Sequence, residues 1–256
     1  MHNAAMQACG VEGSYTLEDI DATALTAIVA ALRHGDYDGC NVTIPHKQAL
    51  AAACDMLDGD AKRLHVVNTI RSDDGALIGS NTDVEGFRLA LEHHGQWPAA
   101  GSCAVVFGAG GVAAAVTLAL SRVRLARLTI AARQQERASS LVDLMNGDAY
   151  LEAVPWSGET VRDRVADAAL IVNATPVGLT DLPLDVSRLR ASCTVADVRY
   201  QPRPVDLVQA AAAAGLQASD GAEMLVRQAA LSFATWTNRE APLDPMRRAF
   251  SDFFES

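Results

Sequence analysis

The sequence predicts an α/β protein built as two domains around parallel sheets. Three observations carry that expectation. Strand and helix patterns alternate in βαβ order, twice over. A breaker-rich link, Gln96-Trp97-Pro98-Ala99-Ala100-Gly101, divides the two runs. Half of the 256 residues are hydrophobic and 20% are charged, a balance that buries a full core and excludes disorder as the main state.

The elements follow in order. Residues 14–17 read as a short strand. Residues 22–33 place Leu25, Ile28, Val29 and Leu32 on one helical stripe. Residues 39–43 read as a strand and residues 45–54 as a helix with Pro45 in its first turn. Residues 76–78 are strand-like and residues 84–94 helical. After the link, Cys103-Ala104-Val105-Val106-Phe107 is the apolar run of a buried parallel strand. A helix at 112–121, a strand at 128–132, a helix at 135–145, strands at 170–173 and 194–198, and helices at 205–214 and 222–237 complete the pattern.

Composition narrows the function. A formal charge of −10 argues against nucleic-acid backbones as partners. No apolar run approaches the roughly 18 to 20 residues of a membrane span, and no basic segment followed by an apolar one opens the chain. The expectation is a cytoplasmic protein without membrane contact. The five cysteines (Cys9, Cys40, Cys54, Cys103, Cys193) lack CxxC spacing and read as reduced, mostly buried thiols. The six histidines form no HxxxH or HExxH pair, so no metal site is expected. Of 21 basic residues only Lys47 and Lys62 are lysine. In so arginine-biased a chain, a retained lysine can do what a guanidinium cannot, which is give up a proton near neutral pH.

Gly108-Ala109-Gly110-Gly111-Val112-Ala113 fits GxGxxG/A between an apolar strand and an alanine-rich helix, the context of a dinucleotide site. Gly108 permits the tight turn, Gly110 lets the backbone approach a pyrophosphate, and Ala113 allows close helix–strand packing. The helix start supplies free N–H groups to the anion. Where an NAD site places an acid at the end of the next strand, this chain has Ala132-Arg133-Gln134, with Arg137 one helical turn on. Two guanidinium groups suit a 2′-phosphate, so NADP is the expected cofactor.

Three segments before the link are rich in hydrogen-bonding residues and lie where strands are expected to end: residues 41–47, 67–70 and 79–83. Open α/β sheets collect ligands at such ends. Each segment also has a plainer explanation. Thr43 could cap the helix at Pro45, Thr82 with Glu85 fits a capping box, and Asp83 suits a helix start by charge alone. His46, beside Lys47, is a rival base or a structural residue.

The segments NVTIPHK, VNTI, GSNTD, GAGG, NAT, DVRYQP and GAEMLVRQAALSFATW occur in one order that resembles the shikimate dehydrogenase family over nearly the whole chain. The resemblance implies an N-terminal α/β substrate domain (residues 1–99, completed by helices of 221–256) and a Rossmann-type NADP-binding domain (100–220), with a cleft between them. It implies reversible reduction of 3-dehydroshikimate to shikimate with NADPH, in aromatic amino-acid biosynthesis, by a monomer or homodimer whose partner is a small-molecule substrate. It makes Lys47 the general acid/base and Asp83 its partner carboxylate. It gives Thr43, Asn68, Asp83, Tyr200 and Gln228 to the substrate. Gly108, Ala109, Gly110, Gly111, Val112, Arg133, Arg137 and Gly221 go to the cofactor, Gly221 near the nicotinamide. The alternatives are a quinate-type cyclic polyol acid dehydrogenase, using NAD, or a non-catalytic nucleotide-binding relative.

The chain departs from the family pattern at four places. The family's first strand and its substrate-binding SxSP serines would precede Met1, which leads to the expectation that this form binds NADPH but turns substrate over weakly. His65 stands for a usual glycine, Ala132 and Gln134 replace the Asn and Thr of an NRT cofactor signature, and His46 replaces an aromatic or apolar residue.

Overall fold

A two-residue turn sets the architecture of the first part of the chain. Asp74 and Gly75 both take positive φ, 49° and 80°, in the geometry that joins antiparallel strands tightly. They connect β3 (Thr69–Asp73) to β4 (Ala76–Ser80), with Asp73 opposite Ala76 and Thr69 opposite Ser80. The computed structural model describes residues 1–145, 147 and 150–254; residues 255–256, at the end of the expected 221–256 segment, lie outside these. The elements before the turn are α1 (His2–Cys9), α2 (Leu25–His34), β1 (Gly39–Asn41), α3 (Lys47–Ala53), β2 (Met56–Leu57) and α4 (Gly59–Leu64). After β4 comes α5 (Asp83–His93).

The first sheet has the order β1-β3-β4-β2, antiparallel except for β2 on β4. The expectation of parallel sheets is therefore corrected for this part. Segment 67–70 begins a strand instead of ending one. Because β3 runs against both neighbours, its start still lies level with the ends of β1 and β4: Asn41, Thr69 and Ser80 are cross-strand partners. All three polar segments thus meet at one end of the sheet. Residues 14–17 form no strand. The Tyr15 amide and carbonyl pair with the Asn3 side chain at 2.7 and 3.0 Å, and Leu17 is 87% exposed. Leu32, Val42, Leu50, Ile70 and Leu77 fill the core.

The second sheet is all parallel, in the order β10-β9-β8-β5-β6-β7. Its strands are β5 (Cys103–Phe107), β6 (Arg127–Ala132), β7 (Leu151–Pro155), β8 (Leu170–Asn173), β9 (Thr194–Asp197) and β10 (Gln217–Ser219). Helices α6 (Gly111–Ser121), α7 (Gln135–Leu144), α8 (Glu159–Asp167) and α9 (Asp206–Ala213) connect them. Phe107, Ile171, Val195 and Leu207 lie in its core. This is the Rossmann-type order, with strand succession reversing between β8 and β5. Helices α10 (Ala222–Thr237) and α11 (Leu243–Phe254) follow. Contacts divide the chain into a first unit of residues 1–86 with 225–256 and a second of residues 87–224, so the divisions fall within α5 and α10.

The five cysteines are free, but only Cys193 is fully buried. Burial nevertheless pushes the Cys40 thiol up to about 12 and those of Cys54 and Cys193 to about 11, so none of these three is a ready nucleophile at neutral pH.

Candidate active site

Lys47 is the first residue of α3, and Asp83 the first of α5. Lys47 Nζ lies 2.5 Å from Asp83 Oδ2, and the two side chains are 12% and 7% exposed. A buried ion pair needs its remaining oxygen satisfied. Asn68 does this: its Nδ2 donates to Asp83 Oδ1 at 2.8 Å and to Gln228 Oε1 at 2.8 Å. Asn68 Oδ1 accepts from the Thr82 amide at 2.8 Å, and the Asp83 amide donates to Asn81 Oδ1 at 3.1 Å. Lys47, Asp83, Asn68 and Gln228 are therefore brought together within the first unit.

Thr43 is not part of this group. Its side chain is exposed, and α3 begins at Lys47 with His46 at the cap position, so Thr43 does not cap that helix. His46 takes the structural alternative: its Nε2 lies 3.0 Å from the Ile20 carbonyl and ties down residues 11–23. His65 ends α4 at φ 51°, a left-handed conformation that explains why glycine suits the position.

In the second unit, Gly108 follows β5 at φ 119°, where a Cβ would come within 2.9 Å of the Ala174 carbonyl. Gly110 occupies the cap position of α6 without any side-chain cap, and a Cβ there would meet nothing within 4 Å. The loop is thus tight on its protein side and open on the other. Gly111 and Val112 open the helix, so their N–H groups lack an intrahelical partner. Ala113 is fully buried. Arg133 follows β6, the strand beside β5, and Arg137 lies in the first turn of α7. Both are exposed, and their side chains have no hydrogen-bond or ion-pair partner among the described residues. Two unpartnered cations at a helix start are poorly placed unless an anion joins them.

Tyr200 is half-buried in the loop after β9. The Gly221 amide donates to the Arg199 carbonyl at 2.9 Å, and a Cβ on Gly221 would overlap the Val198 carbonyl. Close backbone approach therefore requires glycine there. Arg199 anchors the loop by hydrogen bonds to Asp197 and Asp206, and Asn173 Nδ2 reaches Asp197 at 3.0 Å. Sequence reasoning gave no role to Arg199, Asn41, Thr69 or Ser232, and read Thr82 only as part of a capping box. All stand inside the quoted motifs, but linear order does not reveal that Asn41, Thr69, Thr82 and Ser232 share one network. Tyr15 belongs to it too, its phenol donating to Asn41 Oδ1 at 3.0 Å; burial pushes that phenol up to about 12, which keeps it a donor. Among the described residues no group of three His, Cys, Asp or Glu is placed to hold a metal, and no helix is long and apolar enough to cross a membrane.

The chain matches the family model of the shikimate dehydrogenase substrate binding domain over residues 1–70 and that of the shikimate 5′-dehydrogenase C-terminal domain over residues 221–249. It is 41% identical to the shikimate dehydrogenase (NADP(+)) of Symbiobacterium thermophilum, over 97% of this chain and 87% of that one. The crystal structure of shikimate 5-dehydrogenase from Thermus thermophilus in complex with NADP(H) and shikimate is similar at TM-score 0.85 and 33% identity, covering 98% of this chain and 92% of that one. Quinate dehydrogenase from Corynebacterium glutamicum in complex with NAD is similar at TM-score 0.84 and 32% identity, with the same coverage.

Proposed function

The chain belongs to the shikimate dehydrogenase family, and from that premise we propose that it reduces 3-dehydroshikimate reversibly to shikimate with NADPH. The observation that carries the reading is the buried Lys47–Asp83 contact, one of only two lysines in the chain held against a carboxylate.

The residues fit the cofactor. The open face over Gly110, the uncapped start of α6 and the side chains of Arg133 and Arg137, unpaired among the described residues, are what a dinucleotide with a 2′-phosphate needs. When bound, NADPH supplies hydride to the ketone carbon, which leaves an alkoxide in need of a proton. Lys47 Nζ donates that proton, and takes it back in the reverse direction. Asp83 Oδ2 holds the amine in place, while Asn68 holds the other carboxylate oxygen. With its Oε1 turned to Asn68, Gln228 keeps its Nε2 hydrogens for substrate hydroxyls. Thr43 offers an exposed hydroxyl to the substrate. Tyr200 and Gly221 take the roles the family resemblance gives them, substrate contact and nicotinamide side. In this reading residues 1–99 with 221–256 serve the substrate and residues 100–220 the cofactor.

A second reading, oxidation of quinate with NAD, has the likeness to a quinate dehydrogenase in its favour and keeps the Lys47–Asp83 pair. It is disfavoured by Arg133, which stands where an NAD site has an acid. The experiment is steady-state turnover with 3-dehydroshikimate, shikimate and quinate, each with both cofactors. The expected result is the highest kcat/KM with the shikimate pair and NADP(H). A preference for quinate with NAD establishes the second reading, and no turnover of any pair rejects both.

A further inference from the structure

Beneath Lys47 and Asp83 the first unit buries a run of hydroxyl and amide groups that the proposed reaction does not use. At its centre is Ser232, fully buried on α10 one turn after Gln228. Its Oγ lies 2.7 Å from Thr69 Oγ1, 2.9 Å from Asn41 Nδ2 and 3.0 Å from the Gln228 carbonyl. Thr69 is also fully buried, and its Oγ1 lies 3.1 Å from Asn68 Oδ1. Buried hydroxyls cost stability unless paired, and small apolar side chains would occupy the same space without that cost.

Both ends of this run have fixed donor sense. The Asn68 carbonyl can only accept, so Asn41 turns Nδ2 toward it at 3.1 Å and presents Oδ1 to the Tyr15 phenol. The Thr82 amide can only donate, so it pins Asn68 Oδ1 and turns Asn68 Nδ2 to Asp83 and Gln228. The Ser232 hydroxyl carries one hydrogen, and both Thr69 Oγ1 and the Gln228 carbonyl stand within its reach; given to Thr69, it completes one continuous sense of donation: Tyr15 to Asn41, Asn41 to Ser232, Ser232 to Thr69, Thr69 to Asn68, and Asn68 to Asp83. Bonds aligned in one sense polarise and strengthen one another.

We propose that Ser232 is a positioning residue for the reaction: through Thr69 it fixes the Asn68 amide, and Asn68 in turn fixes Asp83 against Lys47. The proposal rests on Lys47 and Asp83 being the acid/base pair. Ser232 lies behind Thr69 and Asn68, so its removal acts on catalysis through the groups it holds, the Asn68 amide foremost.

The test compares Ser232→Ala, Thr69→Val, Thr69→Ser and the double variant Ser232→Ala/Thr69→Val. NADPH binding is followed by fluorescence and turnover by steady-state kinetics. Ser232→Ala and Thr69→Val are each expected to lower kcat about tenfold, the scale of one neutral hydrogen bond expressed in the transition state, while NADPH affinity stays unchanged. Thr69→Ser keeps the hydroxyl and is expected to stay within about twofold of the parent. The double variant is expected to be no slower than the worse single, because the two hydroxyls act as one unit. Parental kcat in Ser232→Ala and Thr69→Val, equal loss in Thr69→Ser, or a fully additive double variant overturns the proposal. Should the nearly isosteric Thr69→Val not fold, Ser232→Ala carries the same readout. Lys47→Ala separates the two levels. Full activity there removes the acid/base reading, whereas its loss beside parental Ser232→Ala and Thr69→Val removes only the positioning role.

Discussion

In the first unit the polar groups around Lys47 are bonded to one another, side chain to side chain, with Asn68, Thr69 and Ser232 at or below 2% exposure. In the second unit the loop at Gly108–Gly111 has almost no side chains, its helix start has no side-chain cap, and the side chains of Arg133 and Arg137 stand exposed without partners among the described residues. In the proposed reading the contrast follows from what each place has to do. Moving a proton needs one amine at one distance from one carboxylate, so each neighbour is itself held. Holding a phosphate needs donors and positive charge facing open space, so backbone N–H groups suffice and the cations wait for their anion. In that reading one region is completed by its own chain, and the other by its ligand.

The largest expected effect comes from breaking the completed region at its centre. Lys47→Ala is expected to lower kcat by at least about 10²-fold, the general acid/base scale, with little change in NADPH affinity. Lys47→Arg keeps the charge beside Asp83 but cannot give up a proton near pH 7, and is expected to rescue poorly. Near-parental turnover in Lys47→Arg makes the contact a structural ion pair and removes the contrast between the regions.

A smaller effect is expected in the open region, and of a different kind. Replacing Arg133 and Arg137 together by neutral residues is expected to weaken NADPH binding about 10- to 100-fold while changing NADH binding little. Each charge-assisted contact is worth roughly 1.5 to 3 kcal/mol at best, and both side chains here are exposed. Fluorescence titration with the two cofactors measures this directly. Equal losses for both mean that the arginines do not read the 2′-phosphate. Because neither arginine side chain has a partner to lose among the described residues, thermal stability is expected to stay level.

The same contrast governs what the sequence could convey. The open region was legible almost to the residue, since an apolar strand, a glycine turn and a helix are contiguous in the chain, and β5 was read with its observed limits. The completed region was legible only in pieces. Its residues come from α3, β3, α5 and α10, and nothing local says that Ser232 sits beside Thr69. The antiparallel hairpin was readable from Asp74-Gly75, a strong turn signal, but the βαβ alternation around it suggested parallel strands instead. Tyr15 and Leu17 have strand-like chemistry and, among the described residues, no neighbouring strand to pair with, so propensity misled there. Helix α8 carries Glu159, Arg162, Asp163, Arg164 and Asp167, too polar for its stripe to stand out, and β10 is three residues at a sheet edge. Helix α11 did offer a signal in Met246, Phe250 and Phe254, one face at three-to-four-residue spacing.

The smallest effect concerns an ion pair that shares the chemistry of Lys47–Asp83 without its burial. Arg33 meets Asp55 at 2.7 and 2.9 Å, and the Leu77 amide adds a third hydrogen bond at 2.8 Å, tying α2 to β4. The two side chains are 39% and 43% exposed, so water competes for the charge and the pair contributes little. The hydrogen bond from Arg33, then that from Leu77, still lowers the Asp55 carboxyl to about 2. A group depressed on folding lends its stability above its unfolded value, near 3.9, and loses it as pH falls through its folded value. The stability gap between the parent and Asp55→Asn is therefore expected to be small at pH 6 and to close between roughly pH 4 and pH 2. Melting both proteins side by side across that range cancels the titration of their other carboxylates. Turnover is expected to be unaffected, since Asp55 lies outside the Lys47 network. A gap that stays constant to pH 2 shows that hydrogen-bond geometry, an amide serving Leu77 and Arg33 less well than a carboxyl does, outweighs the charge. Exposed pairs would then act here by geometry alone, and charge would matter only where, as at Lys47, the chain has closed around it.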